Sequence, residues 1–192
     1  METVQPIRDK KQIEAMKRIL KSNNLRDYAL FVLGINSGLR ISDVLRIRDS
    51  DVLDEKGRIK DRISIREKKT EKLKDFPLGD TTVKALTEYL GKRLPTGAPL
   101  FPSRKEGGSK GSGSISREQA YRILNNAARL VGIKDNIGTH TLRKTFGYFA
   151  YLEGIDITRI QKLFNHSAPS VTLDYIGITQ DDLDKVYLNL NL

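Results

Sequence analysis

A chain of 192 residues, 38% hydrophobic and 30% charged, has material for one compact domain, and no apolar run approaches the roughly 18 residues that span a membrane. Zero cysteines exclude disulfides, zinc-thiolate sites and thiol catalysis, and two histidines in total argue against a multi-histidine metal centre. The net charge of +10 favours a polyanionic partner, and the polar stretch after Met1 lacks the pattern of a secretion signal, so a soluble, cytoplasmic protein is expected.

Ile13, Met16, Ile19 and Leu20 recur at helical spacing from Asp9 to Lys21, and Leu25, Ala29, Val32 and Leu33 do so before Gly38. Two helices are expected, joined near Asn23-Asn24. Ser42 or Asp43 can cap a short helix through Leu45, which leaves Arg40 at a helix junction behind the turn Ser37-Gly38-Leu39. Gly57 breaks an acidic turn. Ile63 and Ile65 alternate with polar residues, as do Lys74, Phe76 and Leu78, which predicts a β-hairpin with Lys69-Thr70-Glu71-Lys72 at its tip. Between Lys56 and Lys74 nine Lys or Arg stand against Asp61, Glu67 and Glu71, so this stretch is the candidate for a phosphate-facing edge; the plain alternative is a solvated charged hairpin.

Asp80 to Leu90 reads as a helix with Val83, Leu86, Tyr89 and Leu90 inward. Pro95, Pro99 and Pro102 make the next segment a loop, pinned by Leu100 and Phe101. Residues 107–113, rich in Gly and Ser, read as a mobile surface loop; they lack the Gly-Lys-Ser/Thr ending of a P-loop. Ala120, Leu124, Ala127, Ala128 and Val131 define a helix that Gly132 ends. Leu142, Phe146, Phe149 and Ala150 define another, containing His140 and Arg143 and ending near Gly154. Asp156 can cap a helix with Ile157, Ile160, Leu163 and Phe164, and Pro169 can start a short helix carrying Tyr175. A last helix is expected from Thr179 to Leu188.

Chemistry can unite several of these residues. Arg40 and Arg143 could bind both nonbridging oxygens of one phosphodiester, and a His-x-x-Arg pair on a helix can face one site. A phenol with pKa about 10 is a poor nucleophile until a base or a positive cluster favours the phenolate, which His140, His166 and the arginines could supply. Each residue also has a plain reading. His-x-x-Arg pairs occur on solvated helices, a histidine after Leu163 and Phe164 is often a core residue, and Tyr175 is one of seven tyrosines.

Joint order and spacing decide between these readings. Gly38-Leu39-Arg40-Ile41-Ser42-Asp43, Lys69-Thr70-Glu71-Lys72, His140-Thr141-Leu142-Arg143, Asn165-His166 and then Tyr175 resemble the catalytic domain of tyrosine recombinases, the phage integrase family, over roughly Asp9 to Lys185. Family members commonly have Leu-Gly-His where this chain has Phe164-Asn165-His166; Asn tolerates left-handed backbone angles, so the turn can persist.

The resemblance implies an α+β fold, mainly α-helical, with a small antiparallel β-sheet at one edge. It implies one catalytic domain over residues 1–192, its core at about 9–185. The implied activity is site-specific DNA recombination or integration through a 3′-phosphotyrosyl intermediate. Tyr175 would be the nucleophile, Arg40, Arg143, His140 and His166 would hold the phosphate, and Lys69 would protonate the departing 5′-oxygen. Lys68 and Lys72 are close competitors for that last role. Arg66, Lys68, Lys72, Lys74 and Lys144 are the expected DNA contacts, and neither a cofactor nor a metal is called for. The partners would be double-stranded DNA and further copies of the chain: a homo-oligomer (tetramer) on DNA, weakly associated or monomeric without it, joined by the segment after Tyr175. Most family members carry an upstream helical domain, for which there is no room before Asp9, so DNA binding is expected to be weak and strongly salt-dependent. The alternatives are a non-cleaving DNA-binding accessory or competitor at recombination sites, and a relaxing topoisomerase.

Overall fold

The computed structural model describes residues 4–103 and 113–190, so most of the expected glycine-rich loop, residues 107–112, lies outside it. Among the described residues the first helix, α1 (Lys10–Asn23), and the second, α2 (Leu25–Ser37), share Asn24 as a joint. Asn24 is extended, accepts the Arg26 N–H on its side chain at 3.0 Å and donates its own N–H to Leu20 O at 2.8 Å. One residue thus ends one helix and caps the next. Tyr28 through Ile35 of α2 are all buried, which makes α2 the central helix, packed against its neighbours on every side. Gly38 stops it in a left-handed conformation (φ 61°), and a Cβ there would meet Phe146 Cδ1 at 2.7 Å.

The next helix, α3 (Ile41–Val44), is capped by neither Ser42 nor Asp43, contrary to the sequence expectation. Arg40 is its N-cap, and Asp43 faces inward, 2% exposed. Asp43 instead takes the main-chain N–H of Lys68 at 2.9 Å, a distant partner that local sequence does not reveal. A four-residue helix, α4 (Asp49–Val52), was not expected, since it is too short for an apolar period.

The hairpin follows as expected, β1 (Arg62–Arg66) antiparallel to β2 (Leu73–Pro77), with Ile63 opposite Phe76 and Ile65 opposite Lys74. Helix α5 (Asp80–Leu90) has the expected limits, but its buried face is Thr82, Ala85, Leu86 and Leu90 rather than one centred on Val83 and Tyr89. Tyr89 lies half-buried against the loop, stacked on Phe101, with its hydroxyl donating to Leu100 O at 2.9 Å. Its polar tip keeps it from the interior. Leu100 and Phe101 are 1% and 0% exposed and do pin that loop.

Five further helices follow among the described residues: α6 (Arg117–Leu130), α7 (Thr141–Leu152), α8 (Ile157–Phe164), α9 (Pro169–Ile176) and α10 (Gln180–Leu190). His140 precedes α7 as its N-cap residue rather than lying within it. Asp156 and Pro169 start α8 and α9 as expected. No helix of the described residues is long and apolar enough to cross a membrane. The main core gathers around α2, and a smaller cluster of Ile160, Phe164 and Ile176 is packed with Phe146, Tyr151 and Tyr175.

Gly147 is what lets α7 approach that smaller cluster. A Cβ there would lie 2.6 Å from Ile176 Cγ2 and 2.7 Å from Phe164 Cε2. Both neighbours are fully buried, so neither can step aside cheaply. Gly147→Ala is therefore expected to lower stability by about 1–3 kcal/mol, the scale of overpacking, in urea unfolding. An unchanged midpoint would show that α8 and α9 yield freely.

Candidate active site

Helix α7 drives Arg143 into the interior, where it is 2% exposed. Its Nη1 donates to Gly38 O at 2.5 Å and its Nη2 to Phe164 O at 2.7 Å, while the guanidinium carbon sits 4.2 Å from the centre of the Phe164 ring. Gly38 ends α2 and Phe164 ends α8, so both acceptors are helix C-terminal carbonyls that lack a partner within their own helix. Burial and then the nearby Arg40 bring the pKa of Arg143 down to about 10, which leaves it charged at neutral pH.

Arg40 reaches the same place from the α2–α3 junction. Its N-cap backbone is extended (φ −69°, ψ 145°), and Nη1 meets Glu67 Oε1 at 3.1 Å. Glu67 was missed as a site residue, although its signal is visible: Ile63, Ile65 and Glu67 alternate on one face of the hairpin, and that face is the inward one. Its other oxygen accepts Thr70 Oγ1 at 2.6 Å and Asn165 Nδ2 at 3.0 Å. Burial pushes this carboxyl up, but Thr70 and the charges of Arg40, Lys74 and Arg143 outweigh it and hold it below the usual glutamate range. Asp43 is the second buried acid. Among the described residues its Oδ2 has no hydrogen-bond partner, and its charge opposes the loss of protons from Arg143 and Lys74.

Asn165 does adopt the left-handed conformation, φ 53°, and adds the bond to Glu67 that a glycine could not make. The next residue, His166, sets Nδ1 3.1 Å from Thr172 Oγ1, with its ring edge-to-face on Tyr175 at 4.9 Å between centres. His140 Nδ1 lies 3.4 Å from the Tyr175 hydroxyl. Lost hydration, then neighbouring cations, lower both histidines from the ordinary value; for His140 these are Arg117, Lys144, Arg143 and Arg40, for His166 Arg143 and Arg40. Both rings are accordingly neutral at pH 7.

Tyr175 departs from expectation in one respect. Burial raises its pKa, and the opposing pull of Arg143 and Arg40 does not cancel it, so the phenol stays protonated. The positive cluster alone does not ionise it. A base must take the proton, and His140 is the neutral nitrogen nearest the hydroxyl.

The basic residues divide into three groups. Lys68, Lys69 and Lys72 are exposed at the hairpin tip, and Arg66 is exposed beside them with Nη1 donating to Glu71 O at 2.7 Å. Lys74 is half-buried, donates to Leu163 O at 3.1 Å, and has its pKa lowered to about 8 by burial and then Arg143. Lys144, expected as a DNA contact, is 6% exposed with its ammonium 5.1 Å from the centre of the Tyr175 ring. The residue next to Arg143 on α7 also faces the interior, so Lys144 acts on the phenol's ring. The structure therefore brings Arg40, His140, Arg143, His166 and Tyr175 together and leaves Lys69 on the overhanging tip.

The phage integrase family model matches residues 8–181. The chain is similar to a probable integrase/recombinase, YoeC, of Bacillus subtilis (strain 168), 42% identical over 97% of each chain. It is 32% identical to the tyrosine recombinase XerC of Thermodesulfovibrio yellowstonii, over 84% of this chain and 53% of that protein, so it spans about half the length of that relative. Among solved structures it resembles the XerA recombinase, with a TM-score of 0.76, 21% identity and coverage of 100% of this chain and 65% of the other. It also resembles the Tn1549 transposon integrase in complex with transposon right end DNA, with a TM-score of 0.65, 19% identity and coverage of 100% and 68%. At these identities the structural likeness speaks for the fold.

Asn165 serves the site through its backbone and its amide, and two variants separate these roles. Asn165→Gly is expected to cost about 1 kcal/mol, the worth of the bond to Glu67. Asn165→Val should cost a further 1–3 kcal/mol or so, since a β-branched residue is strained at positive φ. Equal losses in urea unfolding would mean that the left-handed turn is not the constraint.

Proposed function

This chain belongs to the phage integrase family, and we propose that it cleaves and rejoins double-stranded DNA at specific sites, acting in the cytoplasm through a covalent bond between Tyr175 and a DNA 3′-phosphate. The observation that carries this reading is the phenol of Tyr175 lying 3.4 Å from the neutral His140 ring, in the field of two guanidinium groups, one from the α2–α3 junction and one from α7. A solved relative that holds DNA supports the choice of substrate.

On this reading Arg40 and Arg143 bind the nonbridging oxygens of the scissile phosphate. Both stand ready before the charge develops, so they stabilise the transition state without reorganising. Tyr175 Oη attacks phosphorus and gives up its proton to His140 Nδ1; the bond to the 5′-oxygen breaks, and Lys69 hands that oxygen a proton. Lost hydration and then repulsion from Arg143 and Arg40 lower the pKa of His166; the phosphate's charge offsets that repulsion and so favours the charged, donating form once DNA is bound. The phosphotyrosyl ester keeps the energy of the broken bond. A second 5′-hydroxyl can then attack it, losing its proton to the neutral Lys69 amine while protonated His140 returns a proton to the departing Tyr175 oxygen, and the strand is resealed.

Copies of the chain would assemble on DNA through α10. None of its residues is buried, and Leu183, Val186, Tyr187, Leu188 and Leu190 are 44–80% exposed, an apolar surface that a neighbouring copy can cover. A tetramer pairing two sites is the assembly we propose.

Two experiments test the reading. A nicked suicide duplex carrying the sequence that flanks the coding element should trap the chain covalently, and denaturing gels should show no trapped product for Tyr175→Phe. Arg40→Ala and Arg143→Ala should trap about a hundred- to thousandfold more slowly. Trapping by Tyr175→Phe at the wild-type level would refute the nucleophile, and a chain that binds this DNA without ever trapping is the non-cleaving accessory. Deleting residues 180–192 should leave single-site binding intact and abolish the larger complexes on paired sites, as read by sedimentation; complexes of unchanged size would remove α10 from the interface.

A further inference from the structure

Glu67 is out of place in a site made to hold an anion. Its side chain is 0% exposed, and its negative charge lies 3.1 Å from one of the two arginines that would grip phosphate. Like charges in a poorly solvated site repel strongly, so a buried carboxylate here weakens phosphate binding unless it supplies something else. What it supplies is connection. Oε1 holds Arg40, while Oε2 takes Thr70 Oγ1 at 2.6 Å and Asn165 Nδ2 at 3.0 Å, which joins the α2–α3 junction, the hairpin tip and the turn before His166.

Those bonds bracket Lys69. On one side Thr70 is tied to the Glu67 carboxylate; on the other the Lys68 N–H is tied to Asp43 Oδ1 at 2.9 Å. The main chain closes the tip with Glu67 N–H to Lys72 O at 3.0 Å and Glu71 N–H to Glu67 O at 2.9 Å, which leaves Glu71 at φ 54°. Lys69 itself is exposed and makes no hydrogen bond or ion pair with the described residues, so only its anchored backbone directs its ammonium. We propose that Glu67 is a positioning residue for the leaving-group proton: it fixes the hairpin tip against Arg40, so that the Lys69 ammonium and the Arg40 guanidinium meet the same phosphate. This rests on the reading of Lys69 as proton donor given above.

Replacing the departing 5′-oxygen of the suicide duplex by sulfur provides the test. A thiolate, with a pKa near the cysteine value of about 8.5, leaves without a proton, so a defect confined to proton delivery vanishes on that DNA. On oxygen DNA, Glu67→Ala and Lys69→Ala should each slow covalent trapping by roughly a hundredfold or more, the usual worth of a general acid. On sulfur DNA both should return to near the wild-type rate, whereas Arg40→Ala, which lacks a phosphate ligand, should stay slow. Glu67→Gln, which keeps an acceptor for Thr70, should fall between wild type and Glu67→Ala on oxygen DNA. Recovery on sulfur also shows that a variant is folded. Lys69→Ala rescued beside Glu67→Ala equally slow on both DNAs would overturn the proposal alone. Lys69→Ala not rescued would overturn the assignment of the proton donor itself.

Discussion

The burial of Arg143 is the constraint on which the other site residues depend. A guanidinium inside a protein is tolerated only if its N–H groups find acceptors, and here the acceptors are the terminal carbonyls of two helices, from Gly38 and Phe164. Three helices must therefore converge on one side chain. At both acceptors the chain turns through a left-handed residue, Gly38 itself (φ 61°) and Asn165 just after Phe164 (φ 53°), and so leaves in a new direction. Two residues past each acceptor stands another member of the site: Arg40 after Gly38, His166 after Phe164. One buried cation thus sets the positions of both.

Gathering cations raises a second problem, since they repel one another before any anion arrives. Two buried acids offset this. Glu67 pairs with Arg40 and Asp43 acts on Arg143 and Lys74 through its charge, so the cluster is stable while still cationic overall. Lys74 marks how far the balance reaches, its pKa brought down to about 8 by burial and by Arg143. The site is held ready by opposed charges rather than by positive charge alone.

The proposed nucleophile is held by packing of a different kind. Tyr175 rides on α9, whose Ile176 is seated with Phe164 under Gly147, and its ring is flanked by His166 and the ammonium of Lys144. That apolar seat is what raises the phenol's pKa. The consequence is a tyrosine placed for reaction but uncharged, so that on the proposed reading the step to phenolate coincides with phosphate binding and proton transfer.

The sequence by itself determined most helix limits, because apolar periodicity and capping residues such as Asn24, Asp156 and Pro169 act within a few residues of where they stand. It also determined the order and spacing of Arg40, Lys69, His140, Arg143, His166 and Tyr175, which is where the family is legible. Tertiary structure decided what depends on distant partners. Asp43 is an inward acceptor for Lys68 rather than a cap, Lys144 is buried against the Tyr175 ring, and Glu67 joins three elements. Only the fold decided that the phenol is protonated, since pattern along the chain does not fix how much water a ring loses or which charges surround it.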